Sequence, residues 1–127
     1  MKISQEAITG AHQIRDYGDG FLLIQLADGQ TQRLTGSFIL SSEQLQTAVY
    51  DISKQFSETI LLESLAAFQY DVLIVVTSQQ MNTDIAMLMQ QFRRAGLAAE
   101  FMALGPACRT FNLLLAEGRK PLIWASL

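Results

Sequence analysis

The sequence predicts an α/β domain with an antiparallel β-hairpin at its front and helices on the faces of a sheet. Three observations predict it. An Asp28-Gly29 pair separates two strand-like runs near the N-terminus, which is the strongest short-range hairpin signal. Val72-Leu73-Ile74-Val75-Val76 is a continuous apolar run rich in β-branched residues, the composition of a strand buried on both faces. From there to the C-terminus strand and helix patterns alternate, the grammar of a sheet built through right-handed crossovers.

Residues 1–19 are polar and mixed, and Tyr17-Gly18-Asp19-Gly20 reads as a turn. Phe21 to Leu26 follows as a strand, and Ala27-Asp28-Gly29-Gln30 turns it back into a return strand over Thr31 to Leu40. Gly36 inside that strand marks a bulge or bend. Residues 41–56 leave two alternatives open, since Gln44 to Tyr50 fits either a short strand or an irregular crossing. Ser57 is a credible N-cap with Glu58 in the first turn, where the helix dipole favours negative charge. Leu61, Leu62, Leu65 and Phe68 then make an apolar stripe at helical spacing. Thr77-Ser78-Gln79-Gln80 leaves the central strand, and Asn82 or Thr83 caps the next helix. Ile85, Leu88, Met89 and Phe92 share one face of it, Arg93 and Arg94 suit its last turn, and Gly96 closes it. Leu97 to Met102 is a short strand, and Pro121 to Ala125 is the final one.

The 127 residues fit one domain, 1–127, with enough chain for a core. Half are hydrophobic and 17% charged, which excludes disorder. A net charge of −3 offers no footprint for nucleic acid, and Arg93-Arg94 is too short to be a basic patch. One cysteine makes no internal disulfide, and Met1 to Glu6 carries neither the apolar run of a signal peptide nor the arginines of a presequence. No uninterrupted apolar segment approaches about 18 residues. The expectation is a cytoplasmic protein with no direct membrane insertion. His12, the single histidine, has no companions at ligand spacing, so neither a metal nor a cofactor is expected.

The candidate site centres on Gly105 to Gly118. Gly105 gives a turn and Pro106 suits the first helical position. Ala107, Cys108, Phe111, Leu114 and Leu115 then fall on one face, with Arg109, Asn112, Ala116 and Glu117 on the other, and Gly118 ends the helix as a left-handed cap. A helix start favours anions and thiolates, so Cys108 and Arg109 invite a site there. The same cysteine on an apolar stripe suits a small core residue. Arg109 is either a planar anion fork or a structural clamp. Asn112, a poor helix former, is expected to hydrogen-bond a neighbouring loop. Ligands of open parallel sheets sit beyond the carboxyl ends of the strands, where the Thr77-Ser78 and Pro106–Arg109 loops would meet. Thr77, Ser78, Cys108, Arg109 and Asn112 are therefore the candidate ligand-binding residues, for a small anion or carboxylate. The sequence has no dinucleotide fingerprint, phosphate-loop lysine motif, Ser-His-Asp set or carboxylate pair. No catalytic residue is nominated, and the balance leans away from an enzyme.

Ala107-Cys108-Arg109-Thr110-Phe111-Asn112, the leucine-rich turn after it, and Glu117-Gly118-Arg119 resemble the C-terminal signature of a small α/β family. That family includes the mitochondrial respiratory complex I assembly factor three and bacterial and archaeal single-domain proteins. Tyr17-Gly18-Asp19-Gly20 with its hairpin is similar to the family's opening, and Asp71 to Val76 to its central strand. The resemblance implies the fuller α/β architecture, a β-hairpin-rich front packed on a three-layer sandwich with a central mixed, mostly parallel sheet and helices on its faces, and a non-catalytic interaction protein that assists assembly of membrane-bound respiratory complexes. Its partner would be another protein, a membrane-complex subunit, met by the hairpin face or the surface around the last helix. Two departures stand out. Val76-Thr77-Ser78 replaces a glycine-threonine-glycine, which restricts backbone approach to a ligand. Met102-Ala103-Leu104 replaces a methionine-aspartate-threonine, which removes the best proton-transfer group. The alternative is a small-molecule or anion-binding protein, or a weak enzyme, using the Thr77-Ser78 and Pro106–Arg109 loops. A homo-oligomer joined through the hairpin edge or the Trp124 region is compatible with either.

Overall fold

Side-chain alternation along the strands sorts this chain into layers. The computed structural model describes residues 11–49, 51, 57–77 and 83–127. Strands β1 (Gln13–Gly18), β2 (Phe21–Gln25) and β3 (Thr31–Leu34) form an antiparallel sheet in that order. Strands β4 (Ser37–Ser41), β5 (Leu45–Thr47), β6 (Val72–Val76), β7 (Glu100–Met102) and β8 (Pro121–Ser126) form a second sheet, ordered β5-β4-β8-β6-β7. Helices α1 (Glu58–Ala66), α2 (Thr83–Arg94) and α3 (Leu104–Ala116) complete the described elements. The second sheet is mixed: β6 runs parallel to β7 and β8, whereas β4 is antiparallel to β5 and β8.

The mixed sheet is buried on both faces, as the β6 run requires. One face, with Phe38, Leu40, Ile74, Ile123 and Ala125, packs against α3 and the inner side of the front sheet through Phe111, Leu22 and Ile24. The opposite face, with Ile39, Leu73, Val75, Leu122 and Trp124, packs against α1 and α2 through Leu61, Leu65, Leu88 and Phe92. Phe92 also meets Phe101 of β7 edge to face, with ring centroids 5.2 Å apart. Trp124 is 1% exposed, so it belongs to the core and offers no contact surface. The three layers are thus two helices, the mixed sheet, and a composite of α3 with the front sheet.

Local chemistry sets the element ends. The Ser57 hydroxyl accepts from the Ile60 amide at 3.4 Å and starts α1. Leu62 lies on the outer side of that helix, 40% exposed, and not in the apolar stripe. Asn82 lies outside the described residues. Gly118, at φ +77°, ends α3 in a left-handed cap, with the Gly118 amide on the Leu115 carbonyl and the Arg119 amide on the Leu114 carbonyl.

The front differs from expectation in two ways. β1 occupies part of the stretch that reads as polar and mixed. A register shift between Ile14 and Asp16 breaks its alternation, which hides the strand from the pattern. The single return strand over residues 31–40 is two strands in two sheets. Gly36, at φ +72°, turns the chain between them in a conformation that costs other residues about 1 kcal/mol or more. Of the two alternatives open for residues 44–50, the short strand is present as β5.

Asn112 joins the layers. Its side chain is 1% exposed, accepts the Ile14 amide on Oδ1 at 2.9 Å, and donates from Nδ2 to the Ile14 carbonyl at 2.6 Å. It therefore sits on a second buried side of α3, not on the outer face with Arg109, and its partner is a strand rather than a loop. β1 is an edge of the front sheet, and the Asn112 amide pairs with it as a neighbouring strand would. Replacing Asn112 with alanine strands a buried donor and a buried acceptor, so urea denaturation of Asn112→Ala should show a loss of about 2–4 kcal/mol. A loss within experimental error would mean that α3 and β1 are held by apolar packing alone.

Candidate functional site

The first turn of α3 follows β7 directly and lies beside the C-terminal end of β6, the geometry expected for a site at the strand ends. Ala103 precedes the helix with extended backbone and provides no side-chain cap, so the first turn carries no hydroxyl or carboxylate cap of its own. The helix begins at Leu104, one residue before the glycine read as a turn. Gly105 has another role: a Cβ there would stand 3.0 Å from the Tyr17 hydroxyl. The missing side chain lets the Tyr17 ring from β1 lie against the helix.

The five nominated residues divide. Thr77 is half-buried at the end of β6, and its amide donates to the Met102 carbonyl at 2.8 Å, which ties the β6 exit to the residue before Ala103. Ser78 lies outside the described residues. Cys108 is fully buried in the cluster of Phe111, Ile74 and Ile123. Burial pushes its thiol up to about 12, and the neighbouring Arg109 charge offsets only part of that shift. The thiolate expected at a helix start is therefore suppressed, since Cys108 turns into the core and away from the amides. Asn112 spends its side chain on Ile14.

Arg109 is the nominated side chain that the fold leaves at the surface. Its Nη1 donates to the Tyr17 hydroxyl at 2.9 Å. The sequence offered Tyr17 only as part of a turn signal. Nothing in residue spacing brings it to α3, because the pairing spans 92 positions and depends on the hidden strand β1. At the other end of α3, Arg119 Nε lies 3.7 Å from Asp71 Oδ2, and the Lys120 amide donates to Asp71 Oδ1 at 3.2 Å. These contacts staple the loop after α3 to the start of β6, and both charged groups are about half exposed. Among the described residues no cluster of three or more histidine, cysteine, aspartate or glutamate side chains is placed to hold a metal ion.

A second surface feature lies beyond this helix. A cleft of about 420 Å³ opens between the C-terminal half of α2 and the starts of β6 and β7. Its floor carries Val72, Leu73, Phe92, Leu97 and Phe101, and its rim the charged Asp71, Arg93 and Glu100. β7 is the edge strand of the mixed sheet on this side.

The burial of Cys108 has a direct check. Native protein at about pH 8 should leave a thiol-specific disulfide reagent unconsumed, and denaturant should release one reactive thiol per chain. Prompt labelling of the native protein would place the sulfur at the surface and reopen a thiolate chemistry for the turn.

Comparison with known proteins agrees with this architecture. A protein of Francisella tularensis subsp. holarctica (strain LVS) named 13 kDa major membrane protein is 22% identical over 120 residues, spanning 94% of each chain. The solution structure of Xanthomonas campestris XCC1710 superposes with a TM-score of 0.67 at 22% identity, covering 99% of this chain and 92% of that one. A Bordetella pertussis protein described as a Mth938-like domain gives a TM-score of 0.61 at 19% identity, with the same coverage of 99% and 92%. At these identities the two structures speak for the fold alone. Residues 14–125, from β1 into β8, match the family described as protein of unknown function (DUF498/DUF598), and the chain belongs to that family.

Proposed function

We propose that this protein is a non-catalytic interaction factor that serves the assembly of a membrane-bound complex, working on the cytoplasmic side through contact with a membrane-complex subunit. The observation that carries this reading is the state of α3. Cys108 and Asn112, its two residues best suited to chemistry or recognition, are spent inside the fold. What remains for function is surface: the cleft beside edge strand β7, the exposed Leu113 on α3, and Arg109. Apolar side chains inside a charged rim have the anatomy of a protein contact, and an edge strand can take an added strand. The resemblance of residues 107–119 to the respiratory complex I assembly factor supports an assembly role. The membrane name of the Francisella relative supports a membrane-side partner. Among the described residues no helix is long and apolar enough to cross a membrane, and in this proposal the partner supplies the membrane contact.

Crosslinking in native cells, followed by mass spectrometry of the membrane fraction, tests the proposal. Defined subunits of one membrane complex should be recovered through residues around the cleft. The double variant Arg93→Glu, Glu100→Arg should lower that recovery several-fold without moving the unfolding midpoint, since rim charges govern encounter rather than folding. Recovery of this protein alone, or recovery indifferent to the rim charges, would overturn the reading.

A second reading, a binder of small anions or carboxylates that could extend to weak catalysis, is favoured by one observation. Arg109 stands at the surface near the uncapped helix start and spends only one guanidinium nitrogen on Tyr17. Arg109→Ala should cost about 1 kcal/mol or less, because the bond it removes is exposed. Millimolar phosphate or acetate should raise the unfolding midpoint of the parent protein and not of this variant if the reading holds. Equal shifts in both would exclude Arg109 as an anion site.

A further inference from the structure

We propose that His12 is a pH-sensitive pin between the two sheets, whose protonation releases the tip of the β2–β3 hairpin from the β4–β5 turn. The geometry is specific. The His12 backbone amide donates to the Ser42 carbonyl at 2.7 Å, which anchors the residue to the turn after β4. The ring Nδ1 accepts the Ala27 amide at 2.9 Å, across the gap to the hairpin tip. The backbone carbonyl of Glu43, in the same turn, also faces the ring. A ring that accepts at Nδ1 and faces a carbonyl on its other side is the neutral tautomer with its proton on Nε2. His12 thus joins two turns, one through its backbone amide and one through its ring, from a position 9% exposed.

Protonation changes one of those bonds and not the other. In the imidazolium both ring nitrogens are donors, so Nδ1–H would face the Ala27 N–H. The contact turns from a hydrogen bond into a donor–donor clash, while the Glu43 carbonyl continues to accept. Among the described residues the hydrogen bonds left at the hairpin tip are then those of its own turn, in which the Leu26 amide donates to the Gln30 carbonyl, the Gly29 amide to the Leu26 carbonyl and the Gln30 amide to Asp28 Oδ1. Residues Ala27 to Gln30 are exposed, so nothing packed over them resists the opening. The charged group facing the ring from the hairpin is Asp28, and the β4–β5 turn presents Glu43, which meets the ring through its backbone.

The sign of the pH dependence follows. Burial lowers the His12 pKa below its ordinary 6.5, and Asp28 and the Glu43 carbonyl pull the other way without cancelling it. Folding therefore favours the neutral ring. The stabilisation is complete above about 6.5 and is lost as the pH falls through the lowered value. The opening is local, because the apolar clusters that pack the mixed sheet against its helices do not include His12.

Amide exchange followed by NMR between roughly pH 7.5 and 5 tests the pin, with protection corrected for intrinsic exchange. Protection at Ala27 should fall about tenfold or more across this range, in step with the His12 ring signals, while amides of β6 and β8 stay protected. His12→Asn places a non-titrating acceptor near the Nδ1 position and should hold Ala27 protected at both ends of the range. Asp28→Asn, which keeps the acceptor for Gln30, should move the transition to lower pH. Protection at Ala27 that stays constant while the ring titrates would overturn the proposal. So would an equal fall in His12→Asn, or a loss of protection shared with β6 and β8.

Discussion

The pairing of the Asn112 carboxamide with both backbone groups of Ile14 is the constraint on which the rest of this structure depends. A three-stranded sheet lying over a helix has an edge problem, since the outer strand carries amides and carbonyls that water cannot reach once the layer is closed. Leaving one such group unpaired costs about 1–3 kcal/mol. A carboxamide is the one uncharged side-chain group that matches a peptide, with an acceptor and a donor in the same plane. Asn112 thus acts as one residue of a missing strand, and it fixes both the height and the rotation of α3 against β1. With that rotation set, Cys108 and Phe111 turn inward, Tyr17 lies over Gly105, and Arg109 reaches the Tyr17 hydroxyl.

The front sheet is held at discrete points rather than along a continuous ladder. Asn112 fastens edge strand β1 near its start, Tyr17 with Arg109 fastens the end near the start of α3, and His12 fastens the hairpin tip. Gly36 is the covalent joint, and there the Leu127 amide donates to its carbonyl while the Ser37 and Ser126 hydroxyls meet at 3.0 Å. The apolar contents of the composite layer supply most of the adhesion through Leu22, Ile24 and Leu34. Polar fasteners add orientation, which apolar contact alone does not specify. They differ in kind: the carboxamide is indifferent to pH, whereas the imidazole is not. A sheet fixed along its β1 edge and releasable at one tip follows from that difference.

Much of this was legible in the sequence, and the limits are physical. β6 and β8 announced themselves because burial on both faces demands an unbroken apolar run. Gly118 could be read as a left-handed cap because few residues tolerate φ +77°. β1 could not be read, because its bulge interrupts the alternation that marks a half-buried strand. Once β1 is unseen, three further features are hidden with it. Asn112 looks like a surface residue on a helical wheel, since the wheel assumes one buried side and α3 has two. Tyr17 looks like part of a turn, and His12 like an isolated polar residue. Thr77 and Cys108 lay where chain order put them, but the direction of the Cys108 thiol follows from the rotation of α3, which the sequence of the helix alone does not determine.

The residues that carry the resemblance can then be weighed by the work each performs. Ala107 and Cys108 are small enough to bring the start of α3 close to the mixed sheet, and both are fully buried. Phe111 fills the layer behind them, Asn112 completes the edge of β1, Gly118 turns the chain, and Arg119 meets Asp71 at the head of β6. These six members are accounted for by architecture, whereas Arg109 and Leu113 stand at the surface. A motif of this kind specifies where a helix sits, not which reaction it performs, so its presence argues for a shared scaffold and is silent on shared chemistry. Function must then draw on what the motif leaves free: the Arg109 guanidinium, the exposed side of α3, and the cleft along β7 whose residues lie outside the motif. That division is what supports the proposed reading, in which the fold holds an interaction surface in place.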